Sequence, residues 1–208
     1  MIIGSGKSTY EWIDGWAKIP DSESVRTTHV HDGIVFSDSG HVLHFLRADG
    51  SVVVLDKDGN LVRSWDSTLT GAHGMTLVRE DGSEYLWLAD ENRDSPAVIK
   101  TTLEGDTVMS LQRPELPVYR DGVYRPTSVA VNEERHGGNG DVWVSDGYGE
   151  SHIHRYDKGG NYISSINGEE GDEGPFSCPH GIWIDTRKAL PELYVADRSN
   201  GRIQVYDV

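Results

Sequence analysis

Short apolar runs recur along the chain, each bounded by acidic, Asn or Gly residues. Tyr85-Leu86-Trp87-Leu88-Ala89-Asp90, Asp141-Val142-Trp143-Val144-Ser145-Asp146 and Glu192-Leu193-Tyr194-Val195-Ala196-Asp197 share one form. In each, apolar residues lead to a small residue and then Asp. Val42-Leu43-His44-Phe45-Leu46-Arg47 is a degenerate copy with Arg in the Asp place. A shorter apolar run precedes each: Gly33–Phe36, Gly74–Val78, Ser128–Val131 and Gly181–Ile184. A third follows each: Ser51–Leu55, Ala97–Lys100, His152–Tyr156 and Arg202–Tyr206. Turns such as Asp56-Lys57-Asp58-Gly59-Asn60 and Asp157-Lys158-Gly159-Gly160-Asn161 then open a fourth. β-branched and aromatic residues fill these runs, so they predict strands. No amphipathic helical period stands out.

Asp32, His73, Thr127 and His180 hold equivalent places in the repeats, at spacings of 41, 54 and 53 residues. Four-stranded blades of a β-propeller repeat every ~40–50 residues. The prediction is an all-β fold: residues 1–208 as a single propeller domain with about four blades. A blade cannot hide its apolar faces alone and needs a neighbour on each side. The fourth repeat stops at Val208, after its third strand. Two expectations stay open: a part of a six-bladed ring, or an unusual four-bladed one. Open blade faces would favour self-association. Thr9-Tyr10-Glu11-Trp12-Ile13 is a candidate outer strand for one blade.

Composition narrows the function. Gly is abundant, 24 of 208 residues, as many tight turns require. A net charge of −15 argues against nucleic acid and anionic membrane as partners, because both need clustered Lys and Arg. One Cys cannot form an internal disulfide. Met1–Lys7 carries no apolar leader. A cytoplasmic protein is the expectation. Gly4-Ser5-Gly6-Lys7-Ser8-Thr9 imitates a phosphate-binding loop. It has no Gly at position 1, no strand before it and no helix pattern after it.

The stronger chemical signal is a matched pair, His73-Gly74-Met75 and His180-Gly181-Ile182, in blades two and four. Residues entering the innermost strand line one mouth of a propeller's channel, so these imidazoles are expected to converge there. Neutral imidazole suits Zn²⁺, and three such ligands leave positions open for substrate. Asp32 shares the alignment but belongs to an odd-numbered blade. Tyr148, Arg198 and Arg47 follow or replace the repeated Asp and are expected on the same rim. A phenol is a candidate base, and guanidinium forks bind carboxylates. His29/His31 and His152/His154 are i, i+2 pairs, each on one strand face and expected to face solvent. Cys178 reads as a small packed residue.

Ser145-Asp146-Gly147-Tyr148, Cys178-Pro179-His180-Gly181-Ile182 and Val195 through Gln204 resemble the peptidyl-α-hydroxyglycine α-amidating lyase family, six-bladed propellers of the NHL-repeat type. Arg125-Pro126-Thr127-Ser128 resembles that family's third blade. The resemblance implies a zinc lyase that splits a carbinolamide into an amide and glyoxylate. It implies that His73 and His180 are two of three zinc ligands and Tyr148 is the base. Arg198 would bind the substrate carboxylate, with Arg47 as a second such group. The third His and two further blades have no counterpart here. Where secreted animal members carry a disulfide Cys, this chain has Gly149.

Two functions therefore stand side by side. One is a zinc-dependent lyase acting on a small molecule or a peptide C-terminus, active or degenerate. The other is a non-catalytic NHL-type module that holds a protein or ligand on its rim. A calcium-dependent lactonase-type site would want carboxylate and amide ligands around the axis, which the histidines fit less well. A structural Ca²⁺ beside the zinc remains an expectation.

Overall fold

The computed structural model describes residues 1–19, 21, 26, 33–47 and 49–208. His29, His31 and Asp32 lie outside the described residues. The chain opens with β1 (Ile2–Ser5) and β2 (Ser8–Glu11), which pair with each other as an exposed antiparallel hairpin. Residues 8–11 thus do not extend a blade, in contrast to the expectation for Thr9–Ile13. The phosphate-loop look-alike is the turn of this hairpin.

Four sheets follow in chain order. Blade one is β3 (Ile34–Phe36), β4 (Val42–Leu46), β5 (Ser51–Leu55) and β6 (Leu61–Asp66). Blade two is β7 (Ala72–Glu80), β8 (Ser83–Asp90), β9 (Ala97–Thr102) and β10 (Thr107–Leu111). Blade three is β11 (Ser128–Val131), β12 (Val142–Asp146), β13 (His152–Tyr156) and β14 (Tyr162–Ile166). Blade four contains β15 (Pro179–Asp185), β16 (Glu192–Asp197) and β17 (Arg202–Asp207). Every sheet is an antiparallel meander, so each strand pairs with its sequence neighbour.

The turns between third and fourth strands explain why the repeat is so regular. Asp56 accepts the N–H groups of Asp58 at 2.9 Å and Asn60 at 2.8 Å. Asp157 does the same for Gly159 at 2.8 Å and Asn161 at 2.9 Å. A short carboxylate that binds backbone two residues on is a local turn-former. Hydrogen bonds from the Asn60 and Asn161 side chains hold both carboxyls below the usual carboxylate range.

Packing follows strand alternation. On β8, Leu86 and Leu88 face blade one, with Phe45, Val52 and Met75. Trp87 and Ala89 face blade three, with Val129, Val144 and Tyr156. Successive side chains point to opposite sides of a strand, so one strand serves two interfaces. A third cluster joins blade three to blade four through Trp143, Ile153, Ile182 and Val195. Each fully buried large apolar side chain stabilises the fold by roughly 1.5–3 kcal/mol. Burial of both faces accounts for the near-continuous apolar runs of the second strands. At the two ends of the stack, Ile34 and Phe36 on β3 and Trp183, Ile203 and Val205 on blade four are exposed.

The innermost strands lie side by side and are tied blade to blade. Gly33 N–H donates to His73 O at 2.9 Å, and Thr76 Oγ1 donates to Val129 O at 2.6 Å. No helix among the described residues is long and apolar enough to cross a membrane.

Candidate active site

The inner strands of blades two and four carry the same irregularity. Ala72 pairs with Asp90 and Gly74 with Ala89, leaving His73 at a bulge. Pro179 pairs with Asp197 and Gly181 with Ala196, leaving His180 at the equivalent bulge. A β-bulge re-aims its side chain, and here the two imidazoles come together. Gly74, next to the first bulge, lets β7 approach blade three: a Cβ there would sit 2.6 Å from Thr127 O.

The two imidazole rings come to 4.7 Å between centroids at an interplanar angle of 72°. Tyr148 completes the group, 5.1 Å from the His73 ring and 5.2 Å from the His180 ring. Its hydroxyl lies 2.9 Å from His180 Nε2 and accepts a hydrogen bond from Arg198 Nη1 at 3.3 Å. Two guanidiniums flank the phenol ring, Arg198 at 5.2 Å and Arg125 at 5.4 Å from its centroid. His73 is buried, and its Nδ1 is 2.7 Å from Thr127 O. A carbonyl can only accept, so Nδ1 carries the proton and Nε2 carries the lone pair. Such a carbonyl partner is the usual orienting contact of a metal-binding imidazole. A shallow cavity of about 310 Å³ opens here against His180, Arg198 and Ile203. A larger one, about 470 Å³, lies toward the other end of the inner strands beside Arg79, Arg135 and Trp183, away from this cluster.

Charged groups of both signs meet around the cluster. Glu91 is buried and pairs with both Arg47 and Arg125. One carboxylate thus serves two guanidiniums. Arg198 forms no ion pair among the described residues; its bond to the Tyr148 hydroxyl holds its pKa above the ordinary value. Arg198 therefore sets beside the phenol a guanidinium that is not committed to a carboxylate among the described residues.

As for a metal, no three His, Cys, Asp or Glu side chains gather into a binding group among the described residues. His73 and His180 fit as two members of a three-ligand zinc set. Cys178 takes a left-handed backbone, φ 58°, two residues before His180. Burial pushes its thiol up and keeps it neutral.

The structure thus brings together His73, His180, Tyr148 and Arg198, and holds Arg47 on the rim through Glu91. Glu91 was not singled out from sequence and Arg125 was noted only within the run Arg125-Pro126-Thr127-Ser128, although a signal existed for both. Glu91 directly follows the repeated Asp90, as Arg198 follows Asp197; Arg125 stands two places before Thr127. His152 and His154 do share a face, with rings stacked 6.1 Å apart. The solvent-facing expectation fails for His154, which is fully buried and hydrogen-bonded on both nitrogens. Gly149 is required by the fold: a Cβ there would lie 2.1 Å from Asp146 Oδ1 and 2.4 Å from Val123 O.

Asp146 itself is fully buried, and desolvation pushes its carboxyl up to about 6. A folded-state value above the unfolded one contributes stability below the unfolded value and loses it as pH rises through about 6. At about 1.4 kcal/mol per unit, the loss reaches about 3 kcal/mol. Urea unfolding of wild type and Asp146→Asn between ~pH 4 and ~pH 7 should show their stability difference shifting by up to that amount, against wild type. Parallel pH profiles would refute the assignment.

The fold and the cluster define a chain of β-propeller blades with histidines, a tyrosine and arginines gathered at one end of the inner strands. No family model matches the chain. It is 28% identical to NHL repeat-containing protein 3 of Homo sapiens over 214 residues, covering 97% of this chain and 57% of that protein. It is 31% identical to a probable peptidyl-alpha-hydroxyglycine alpha-amidating lyase of Caenorhabditis elegans over 137 residues, covering 64% of this chain and 36% of that protein. The chain therefore spans little more than half the length of the first of these relatives. Virginiamycin B lyase from Staphylococcus aureus shares the fold, with a TM-score of 0.60 at 16% identity over 92% of this chain and 58% of that one. The chain is thus similar in sequence to NHL-repeat and amidating-lyase proteins.

Proposed function

We propose that this chain carries the working part of a carbon–nitrogen lyase site for an α-hydroxyglycine-type substrate, releasing an amide and glyoxylate. The observation that carries the reading is one phenol hydroxyl within reach of both an imidazole and a guanidinium that forms no ion pair among the described residues. Arg198 binds the substrate carboxylate with its guanidinium fork. The Tyr148 oxygen, beside Arg198 and His180, takes the proton of the α-hydroxyl group. The oxygen lone pair closes to the aldehyde, the C–N bond breaks, and its electrons pass to the amide nitrogen. Tyr148 returns the proton to that nitrogen, so atoms and charge balance. His73 and His180 would hold a zinc ion together with a third ligand. Such an ion supplies Lewis acidity toward the substrate oxygen.

The test is glyoxylate release from an α-hydroxyglycine compound in the presence of zinc, with metal content measured in parallel. His180→Ala is expected to lose both bound zinc and activity; full zinc retention in that variant would sink the assignment.

A second reading, a non-catalytic NHL-type binding module, is favoured by one observation. NHL repeat-containing protein 3 matches 97% of this chain, whereas the nematode lyase matches 64%. Saturable binding of a small carboxylate without turnover would select it.

A further inference from the structure

Beneath the cluster runs a buried chain of side chains that the proposed chemistry does not use. Tyr119, in the 3₁₀ turn Pro117–Arg120, is buried and its hydroxyl donates to Asp146 Oδ2 at 2.6 Å. The Tyr119 hydroxyl oxygen is also 2.7 Å from His154 Nε2. His154 Nδ1 is 2.7 Å from Ser165 Oγ, which is 2.8 Å from the Tyr162 hydroxyl. Burial pushes the His154 imidazole down to about 3, so it is neutral with a single N–H. The directions then follow. Asp146 only accepts, Tyr119 spends its proton on it, and His154 Nε2–H donates to Tyr119. Nδ1 is left to accept from Ser165.

The chain ends on the segment that holds Tyr148. Asp146 Oδ1 accepts Arg125 N–H at 2.6 Å, and Oδ2 accepts Glu150 N–H at 2.7 Å. Tyr148 N–H in turn donates to Arg125 O at 3.3 Å. One carboxylate therefore clamps the turn 147–150 against the loop that carries Arg125.

We propose that Tyr119 is a positioning residue for Tyr148: shared between His154 and Asp146, its hydroxyl fixes the carboxylate that sets Tyr148 against His180 and Arg125 beside the ring. The inference rests on Tyr148 as the working phenol. A pure filler would need the ring of Tyr119 and not its oxygen. A positioning hydroxyl must be felt at His180, two hydrogen-bonded steps and a turn away. Displacement of a reacting group by about 1 Å can cost up to ~100-fold in rate.

The test uses the 208-residue chain labelled with ¹⁵N and reads imidazole nitrogen shifts, which report the Tyr148–His180 bond without turnover. Tyr148→Phe sets the position of the His180 signals when that bond is absent. Tyr119→Phe should move them part of the way there and cut kcat by about tenfold with KM nearly unchanged. If Tyr119→Phe does not fold, His154→Leu tests the same link, and His154→Gln, which keeps a donor, should restore the signals. A shift confined to His154, with His180 unmoved in Tyr119→Phe, would overturn the proposal. Unmoved His180 signals in Tyr148→Phe as well would place the failure in the site reading beneath it.

Discussion

Tyr148→Phe is expected to lower glyoxylate release by about 10²- to 10⁴-fold, the usual contribution of a positioned acid–base group. The ring stays, so its edge contacts with His73 and His180 and the flanking guanidiniums are kept. What disappears is one oxygen, and with it the 2.9 Å contact to His180 and the 3.3 Å contact from Arg198. A partly exposed hydroxyl contributes about 1 kcal/mol to stability, so the loss should fall almost wholly on kcat. Steady-state kinetics beside urea unfolding separates the two. A variant with wild-type turnover would remove Tyr148 from the chemistry.

The second large effect is expected at Glu91. Its carboxylate is buried between Arg47 and Arg125, and its own carbonyl accepts Arg125 Nε–H at 3.1 Å. Those guanidiniums are about one quarter exposed, so solvent compensates them only in part. Removing the shared partner of a buried charge group leaves uncompensated charge, at a cost of about 3–5 kcal/mol. Glu91→Gln keeps the shape and loses only the charge, so about 3 kcal/mol of destabilisation is the expected result by urea unfolding. Arg125 would also lose its tether beside the Tyr148 ring, and affinity for a small carboxylate should change with it. Stability within about 0.5 kcal/mol of wild type would show that the pairs are solvent-screened and weak.

Much of the fold was legible because a propeller repeats its instructions. The Asp-x-x-Gly-Asn turns are local devices, so Asp56 and Asp157 announce hairpins without help from distant residues. The apolar runs ending in Asp90 and Asp146 announce strands buried on both faces, and the run ending in Asp197 a strand with one face fully buried. The hairpin at residues 2–11 was less legible, because a strand pattern does not say which strand it pairs with. His154 was misread for a related reason. Period-two alternation tells which side of a strand a residue takes, but a propeller blade has no solvent side where neighbours cover both faces.

The sequence by itself determined the strands, their order within each blade and the identity of the matched histidines, since these depend on local pattern and repetition. Only the tertiary structure decided that bulges at His73 and His180 turn two imidazoles to within 4.7 Å of each other. It alone placed Glu91 between two arginines and Tyr119 beneath Asp146. These contacts join residues of different blades, or loops far apart in one blade. Their energies depend on burial and through-space distance, which no spacing along a chain encodes.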